Sequence, residues 1–390
     1  MQKHAALIAF VCALGAAGTA SAQSTVTLFG VVDTGYTRDG GSVASVTGIA
    51  NGNNASSRLG FRGVEDLGGG LKAGFWLEMG INTDSGAGST NTSTDNTTAS
   101  AVANTLQFGR RATVSLVGNF GEVRLGRDFT PAYYNEASSP FGTTSVGTDV
   151  LLQANLLGQV QLRASNGIHY LTPDTLGGFY GHFNYAFGEQ PSTPAVTEDN
   201  GNYIGLRVGY KAGPLDVAIG YGKLDITRTT PAGQSNDRSV ASITGSYDFG
   251  VVKLTGEYQR QNIENTVNAG FGNGGTASVG NDTQSKGFAL GATIPLGAGL
   301  VKLAYSRIDI ENGHGLGTEP RAAKFALGYV YNLSKRTALY TSVAQLKNSG
   351  DTATGGTLTA AAGRVTGLTG AIAGANSSST GFEVGLRHSF

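Results

Sequence analysis

The residues that could carry chemistry are few. Four histidines follow residue 22: His169, His182, His314 and His388. A zinc site needs His and Cys ligands at short, repeated spacings, and none of the four stands so to another His or Cys. No G-x-S-x-G, P-loop or H-E-x-x-H motif occurs, so hydrolytic and phosphate-cradling chemistry lack their usual carriers. Gly68-Gly69-Gly70 precedes a strand-like segment and reads as a turn. Asn91-Thr92-Ser93 matches a glycosylation acceptor, and loop composition explains it as well. Arginine is more informative. Arg58, Arg62 and Arg163 fall on the polar phase of alternating segments. In Arg110-Arg111, alternation turns the two side chains opposite ways, and Thr113 and Ser115 favour Arg111 for the polar side. Guanidiniums along a narrow water-filled passage raise the local anion concentration. The same arginines could instead pair with Asp33, Glu65 or Asp66, and both readings stand.

The elements that must position them alternate with period two. At the end of the chain Phe382, Val384, Leu386, His388 and Phe390 share one face, and Gly381, Glu383, Gly385, Arg387 and Ser389 share the other. Segments 179–187, 251–259 and 321–331 repeat the split. A strand sends successive side chains to opposite faces, so one face meets an apolar medium and the other meets water. A soluble β-sandwich would alternate too. Here the second face stays polar or small, and short links such as Gly118-Asn119-Phe120 and Ala212-Gly213-Pro214 alternate with long polar ones near 38–54, 81–104, 131–155, 264–283 and 348–378. Aromatic residues gather near the ends of the apolar face. That combination fits an all-β, sixteen-stranded antiparallel transmembrane barrel. The expected strands are 25–37, 55–66, 70–80, 105–117, 121–129, 158–171, 178–187, 202–211, 215–225, 238–248, 251–262, 285–294, 299–310, 321–331, 337–347 and 380–390.

Composition agrees. The chain has 390 residues, 39% hydrophobic and 14% charged, against roughly 25% charged in soluble domains. It balances 27 basic against 27 acidic residues, which excludes a global nucleic-acid footprint. Residues 1–22 have the parts of a secretory leader: Lys3, an apolar core and Ala20-Ser21-Ala22 as a cleavage site. Its removal takes Lys3 and the single Cys12, leaving residues 23–390 as one barrel domain with a formal charge of −1 and no thiol chemistry.

The chain resembles the Gram-negative general-diffusion porins, the trimeric sixteen-stranded type. The resemblance rests on Ser24-Thr25-Val26-Thr27-Leu28-Phe29-Gly30, Ser57-Arg58-Leu59-Gly60-Phe61-Arg62-Gly63, Gly74-Phe75-Trp76-Leu77-Glu78, Phe108-Gly109-Arg110-Arg111, and the ending Gly385-Leu386-Arg387-His388-Ser389-Phe390. It implies an outer-membrane protein of a Gram-negative bacterium. It also implies that a third long loop, about 129–155 with Pro140-Phe141-Gly142, folds into the barrel as a constriction. Opposite it, Arg58, Arg110 and Arg163, with Arg62 nearby, match the family's basic wall, which places Arg110 inward. The loop's acids are Glu136, Asp149 and Asp128, and no carboxylate immediately precedes Phe141, a departure that weakens the negative side. The resemblance further implies a homotrimer in which 81–104 reaches over a neighbour.

The expected function is passive diffusion of small hydrophilic solutes and inorganic ions, preferring anions, with outer-membrane lipid around the barrel. No cofactor, metal or reaction is expected. The alternative is a solute-specific outer-membrane channel with a saturable site. Only Tyr180 and Tyr340 stand out as inward aromatics for it. An outer-membrane enzyme lacks a nucleophile–base motif, and an adhesin or phage-receptor role for the outward loops is compatible with a pore.

Overall fold

A computed structural model describes residues 25–41, 44–88, 91–92, 101–102, 106–136, 139–153, 162–190, 199–229, 232–266, 281–312, 321–349 and 378–390. Residues 1–24 and large parts of the long-loop segments lie outside these residues. Seventeen strands form one antiparallel sheet. Two of them lie along the same side of the first strand, so the closed wall has sixteen positions. We number these β1 (Thr25–Gly41), β2 in two segments (Ser45–Asn51 and Arg58–Gly68), β3 (Leu71–Gly80), β4 (Arg111–Gly118), β5 (Gly121–Phe129), β6 (Arg163–Leu171), β7 (Phe179–Ala186) and β8 (Tyr203–Ala212). The remainder are β9 (Leu215–Leu224), β10 (Arg238–Asp248), β11 (Lys253–Thr266), β12 (Asn281–Leu296), β13 (Gly299–Asn312), β14 (Arg321–Asn332), β15 (Thr337–Ser349) and β16 (Ser378–Ser389). Each pairs with its chain neighbours. β16 closes on β1 from Val31 opposite Ser389 to Gly41 opposite Ser379. Gly30 and Phe390 then exchange backbone hydrogen bonds of 3.2 and 3.1 Å.

Alternation works as expected. On β16 Phe382, Val384 and Leu386 are exposed outward while Glu383 is wholly buried inside. On β14 Phe325 and Leu327 face out and Ala322, Lys324 and Ala326 face in. The turn Gly68-Gly69-Gly70 has φ of +85°, +62° and +82°, values that only glycine takes without strain in succession. Two expectations are corrected. Residues 38–54 are not a loop throughout: β1 runs to Gly41 and returns as Ser45–Asn51, where Val46, Thr47 and Ile49 favour extended backbone. The strand expected from 105 begins at Arg111, because 106–110 have no ladder.

Between its two segments β2 folds around one carboxylate. Asp33 Oδ2 accepts hydrogen bonds from the backbone N–H groups of Asn54 (3.0 Å) and Ala55 (2.7 Å), and Tyr340 donates to Oδ1 at 2.5 Å. Ser57 Oγ donates to the Asp33 carbonyl and accepts from its N–H, both at 3.0 Å.

The chain after β5 enters the barrel. Thr130 caps a short helix, α1 (Pro131–Glu136), by accepting the Tyr133 N–H at 3.3 Å, with Pro131 at the first helical position. Asn135 ties α1 to β10, donating to Ser242 Oγ (2.9 Å) and accepting from Thr244 Oγ1 (2.9 Å). Residues 139–149 continue as turns to α2 (Val150–Gln153). Phe141, Val146, Val150 and Leu151 bury themselves against inward Ala304, Ile308 and Ala326 of β13 and β14. Two glycines make room: a Cβ at Gly287 would lie 2.3 Å from Leu151, and one at Gly328 2.8 Å from Phe141. Polar latches complete the seat. Glu383 accepts from Ser145 Oγ (2.5 Å) and Val146 N–H (3.1 Å), and Lys324 Nζ donates to the Thr148 carbonyl (2.8 Å).

A buried hydrogen-bond donor left without its acceptor costs about 1–3 kcal/mol. Replacing Glu383 by Ala leaves the Ser145 and Val146 donors unpaired and loosens the loop tip. Single-channel recording of E383A is expected to show larger open-channel current fluctuations than the parent protein. Traces of equal noise and conductance would remove the latch role.

Candidate pore constriction

The inward phase of β2 and β3, with the bend just before β4, brings a group of guanidiniums around one carboxylate. Gly60 on β2 lies opposite Glu78 on β3, and Glu78 lies opposite Arg111 on β4. Glu78 Oε1 accepts from Arg110 Nε at 2.6 Å, and Arg58 Nε lies 3.8 Å from the same oxygen. Trp76 Nε1 donates to Glu78 Oε2 at 3.1 Å. Arg58 is held from the other side, donating through Nη1 to the Ser56 carbonyl at 2.9 Å. The Asp33-bound fold in β2 therefore sets where Arg58 stands.

Arg163 enters from β6. Its Cζ lies 4.1 Å from the centre of the Phe129 ring, and Phe129 stacks on Tyr133 of α1 at 4.5 Å. Arg110, Arg127, Tyr133 and Glu78 lie within its electrostatic reach. Arg127 donates to the Gly109 carbonyl (2.7 Å) and to Ser165 Oγ (2.8 Å). So Arg58, Arg110, Arg127 and Arg163 gather with Glu78 as the carboxylate among them.

Arg110 and Arg111 both point inward, which corrects the assumption that they must diverge. Arg110 sits in the bend before β4, where strand alternation does not govern it. Arg111 is in strand phase and turns toward the short-turn end of the barrel. It lies 3.2 Å from Asp128 and 4.5 Å from the Trp76 ring centre. Arg124 joins it, 2.6 Å from Asp128 and 2.9 Å from Glu122. This second group carries two arginines and two carboxylates. Arg62 also lies on the inward phase, two rows from Arg58, with its guanidinium 5.3 Å from the Phe29 ring centre and 5.1 Å from that of Trp76. It is not part of the Arg58 group.

The loop acids are occupied differently. Asp128 is fully buried between Arg124 and Arg111 and also accepts the Phe129 N–H at 2.8 Å. Asp149 caps α2, accepting the Leu152 N–H at 2.9 Å. It is buried, which raises its carboxyl above the ordinary range and disfavours its charge. Glu136 ends α1, and its side chain lies outside the described residues.

The remaining sequence candidates form structural contacts. His169 and His182 stack on adjacent strands with ring nitrogens 3.1 Å apart, and Asn184 lies 3.3 Å from His169 Nε2. No metal-binding cluster of His, Cys, Asp or Glu occurs among the described residues. His388 sits at the rim 2.9 Å from Thr337 Oγ1, and His314 lies outside the described residues. Tyr180 donates to Asp216 at 2.7 Å and accepts from Arg207 at 3.1 Å, while Tyr340 donates to Asp33. Glu78 and Arg127 do not stand out in the sequence. The available signal for Glu78 is its inward phase two residues after Trp76. Arg127 lies beside a bulge between Gly126 and Asp128, where simple alternation fails.

Comparison with known proteins places this geometry. A family model described as Gram-negative porin matches residues 5–351. The outer membrane porin protein 32 of Delftia acidovorans is 39% identical over 385 residues, covering 97% of each chain. An outer membrane porin protein of Bordetella pertussis is 31% identical, covering 88% of this chain and 94% of that one. The solved structure of an anion-selective porin from Comamonas acidovorans has a TM-score of 0.74 and 37% identity, covering 94% of this chain and all of that one. With the closed sixteen-position wall and the loop inserted into it, these likenesses identify the chain as a member of the Gram-negative porin family, a β-barrel of the outer membrane.

Proposed function

We propose that the protein is a passive outer-membrane channel that prefers anions among the small hydrophilic solutes and ions it passes. The family and the barrel support diffusion through a water-filled lumen without a reaction or cofactor. The observation that carries the anion preference is the imbalance at the loop: Arg58 and Arg110 share Glu78, with Arg163 and Arg127 beside them, while Asp128 and Asp149 are buried and engaged. A low-dielectric wall focuses that positive field into the passage. The anion-selective porin among the similar structures supports the same reading. Residues 23–390 act as the barrel once the leader is removed. The assembly is a homotrimer, in keeping with the family, and chemical cross-linking that traps a monomer alone would count against it.

The pore is read in a planar bilayer with a salt gradient. The reversal potential is expected on the anion-preferring side, more strongly near 0.1 M than near 1 M salt, because the screening length falls from about 10 to about 3 Å. A cation-side potential would overturn the preference.

Replacing Arg58, Arg110 and Arg163 together by Gln is expected to bring the anion-to-cation permeability ratio close to unity. Glu78→Gln should raise that ratio, because it removes the shared counter-charge. Unchanged ratios in both variants would show that selectivity lies elsewhere.

A further inference from the structure

The constriction carries rings that a small inorganic ion does not need. Helix α1 presents two tyrosines to two different arginine groups. Tyr133 is buried, stacks on Phe129 at 4.5 Å, and lies within electrostatic reach of Arg58 and Arg163. Tyr134 is 37% exposed, although its helix is enclosed by the wall, so its open surface meets the passage. Its ring stands 5.6 Å from Phe129 and 5.6 Å from His182, edge to face in both cases. Arg111 and Arg124 lie within its electrostatic reach, with Asp128 held between them.

Arg163 completes the group from β6. Its guanidinium carbon lies 4.1 Å from the Phe129 ring centre, so Arg163 and Tyr133 take the two faces of that ring. Arg163 Nε is buried with no hydrogen-bond partner, and no carboxylate pairs with Arg163 among the described residues. Arg163 and Tyr134 thus both border Phe129, one with a guanidinium that no acid holds and the other with an open ring. Guanidinium and ring meet again toward the short-turn end, where Arg111 lies 4.5 Å and Arg62 5.1 Å from the Trp76 ring centre.

An aromatic face carries negative partial charge, so an exposed ring offers chloride no attraction. A guanidinium fork matches a carboxylate with two parallel hydrogen bonds. An anion that carries its own planar ring uses both features, its carboxylate on Arg163 and its ring against Tyr134. We propose that the Phe129–Tyr134 shelf with Arg163 is a binding subsite for aromatic carboxylates, which the channel retains in preference to aliphatic carboxylates. The proposal rests on the water-filled lumen being the route, and passage stays passive. A saturated ring of equal charge and similar size keeps the ion pair and loses the stacking, which separates recognition of the ring from recognition of the charge.

The test measures single-channel chloride current of the full barrel in a planar bilayer while benzoate, cyclohexanecarboxylate or succinate is added. Benzoate is expected to reduce the current saturably, with half-block at a concentration about fivefold or more below that of cyclohexanecarboxylate. Tyr134→Leu, which keeps apolar bulk without a ring, should abolish that difference, and Tyr134→Phe should restore it. Tyr180→Ala should leave the difference in place, because Tyr180 belongs to the separate Arg207 and Asp216 contact. Equal half-block by benzoate and cyclohexanecarboxylate, stronger block by succinate than by benzoate, or an undiminished difference in Tyr134→Leu would overturn the proposal. If Tyr134→Leu does not assemble, the parent protein decides: a benzoate effect that never saturates rejects the subsite. Absence of any chloride current would sink the pore reading and the subsite together, whereas a current blocked equally by the two ring acids sinks the subsite alone.

Discussion

A backbone N–H or C=O inside hydrocarbon has no water to bind, and each one left unsatisfied costs several kcal/mol. Much of this barrel follows from that constraint. The wall must close, so β16 returns to β1 and the last residue, Phe390, pairs with Gly30. Closure leaves an inside and an outside, and each strand must serve both. The outward phase takes Phe, Tyr, Leu and Val, while the inward phase is free to carry arginines and carboxylates. Chain segments that are not in the wall can stay at this depth only inside the barrel, where the constriction loop finds partners in Ser242, Ser306, Lys324 and Glu383.

That same need for partners sorts the charges. Asp33 holds the fold in β2, Asp128 holds Arg124 and Arg111, Asp149 caps a helix, and Glu383 receives the loop tip. Each of these carboxylates is bound into architecture. The arginines of the constriction are fixed with less opposing charge, by the Ser56 and Gly109 carbonyls and by the Phe129 ring. The asymmetry of the passage therefore arises less from a shortage of acidic residues than from where their hydrogen bonds are needed.

Strand positions and facing are legible in the residues because period two is a strong and local signal. Sixteen segments can be read directly, and the Gly68-Gly69-Gly70 turn follows from residue type. What stays hidden depends on contacts across the barrel. Local polarity points to Arg111 and family likeness to Arg110, and both face inward because a bend precedes the ladder. Asp149 looks like a pore acid in sequence, yet three residues later an amide claims it. Inward Ala304, Ile308 and Ala326 are apolar against the water-facing expectation, since loop and wall cover one another there. No local pattern announces such a contact between residues over a hundred positions apart.

The glycine hollows behind the constriction loop have a consequence for bore. Phe141 and Leu151 rest in space left by Gly328 and Gly287, with Pro140 beside Gly291. The depth of those recesses sets how far the loop stands from the opposite arginines. Every methyl group added to the recess floor acts as a shim, pushing the loop toward the axis. The aperture is thus calibrated from behind, by atoms that no passing solute meets.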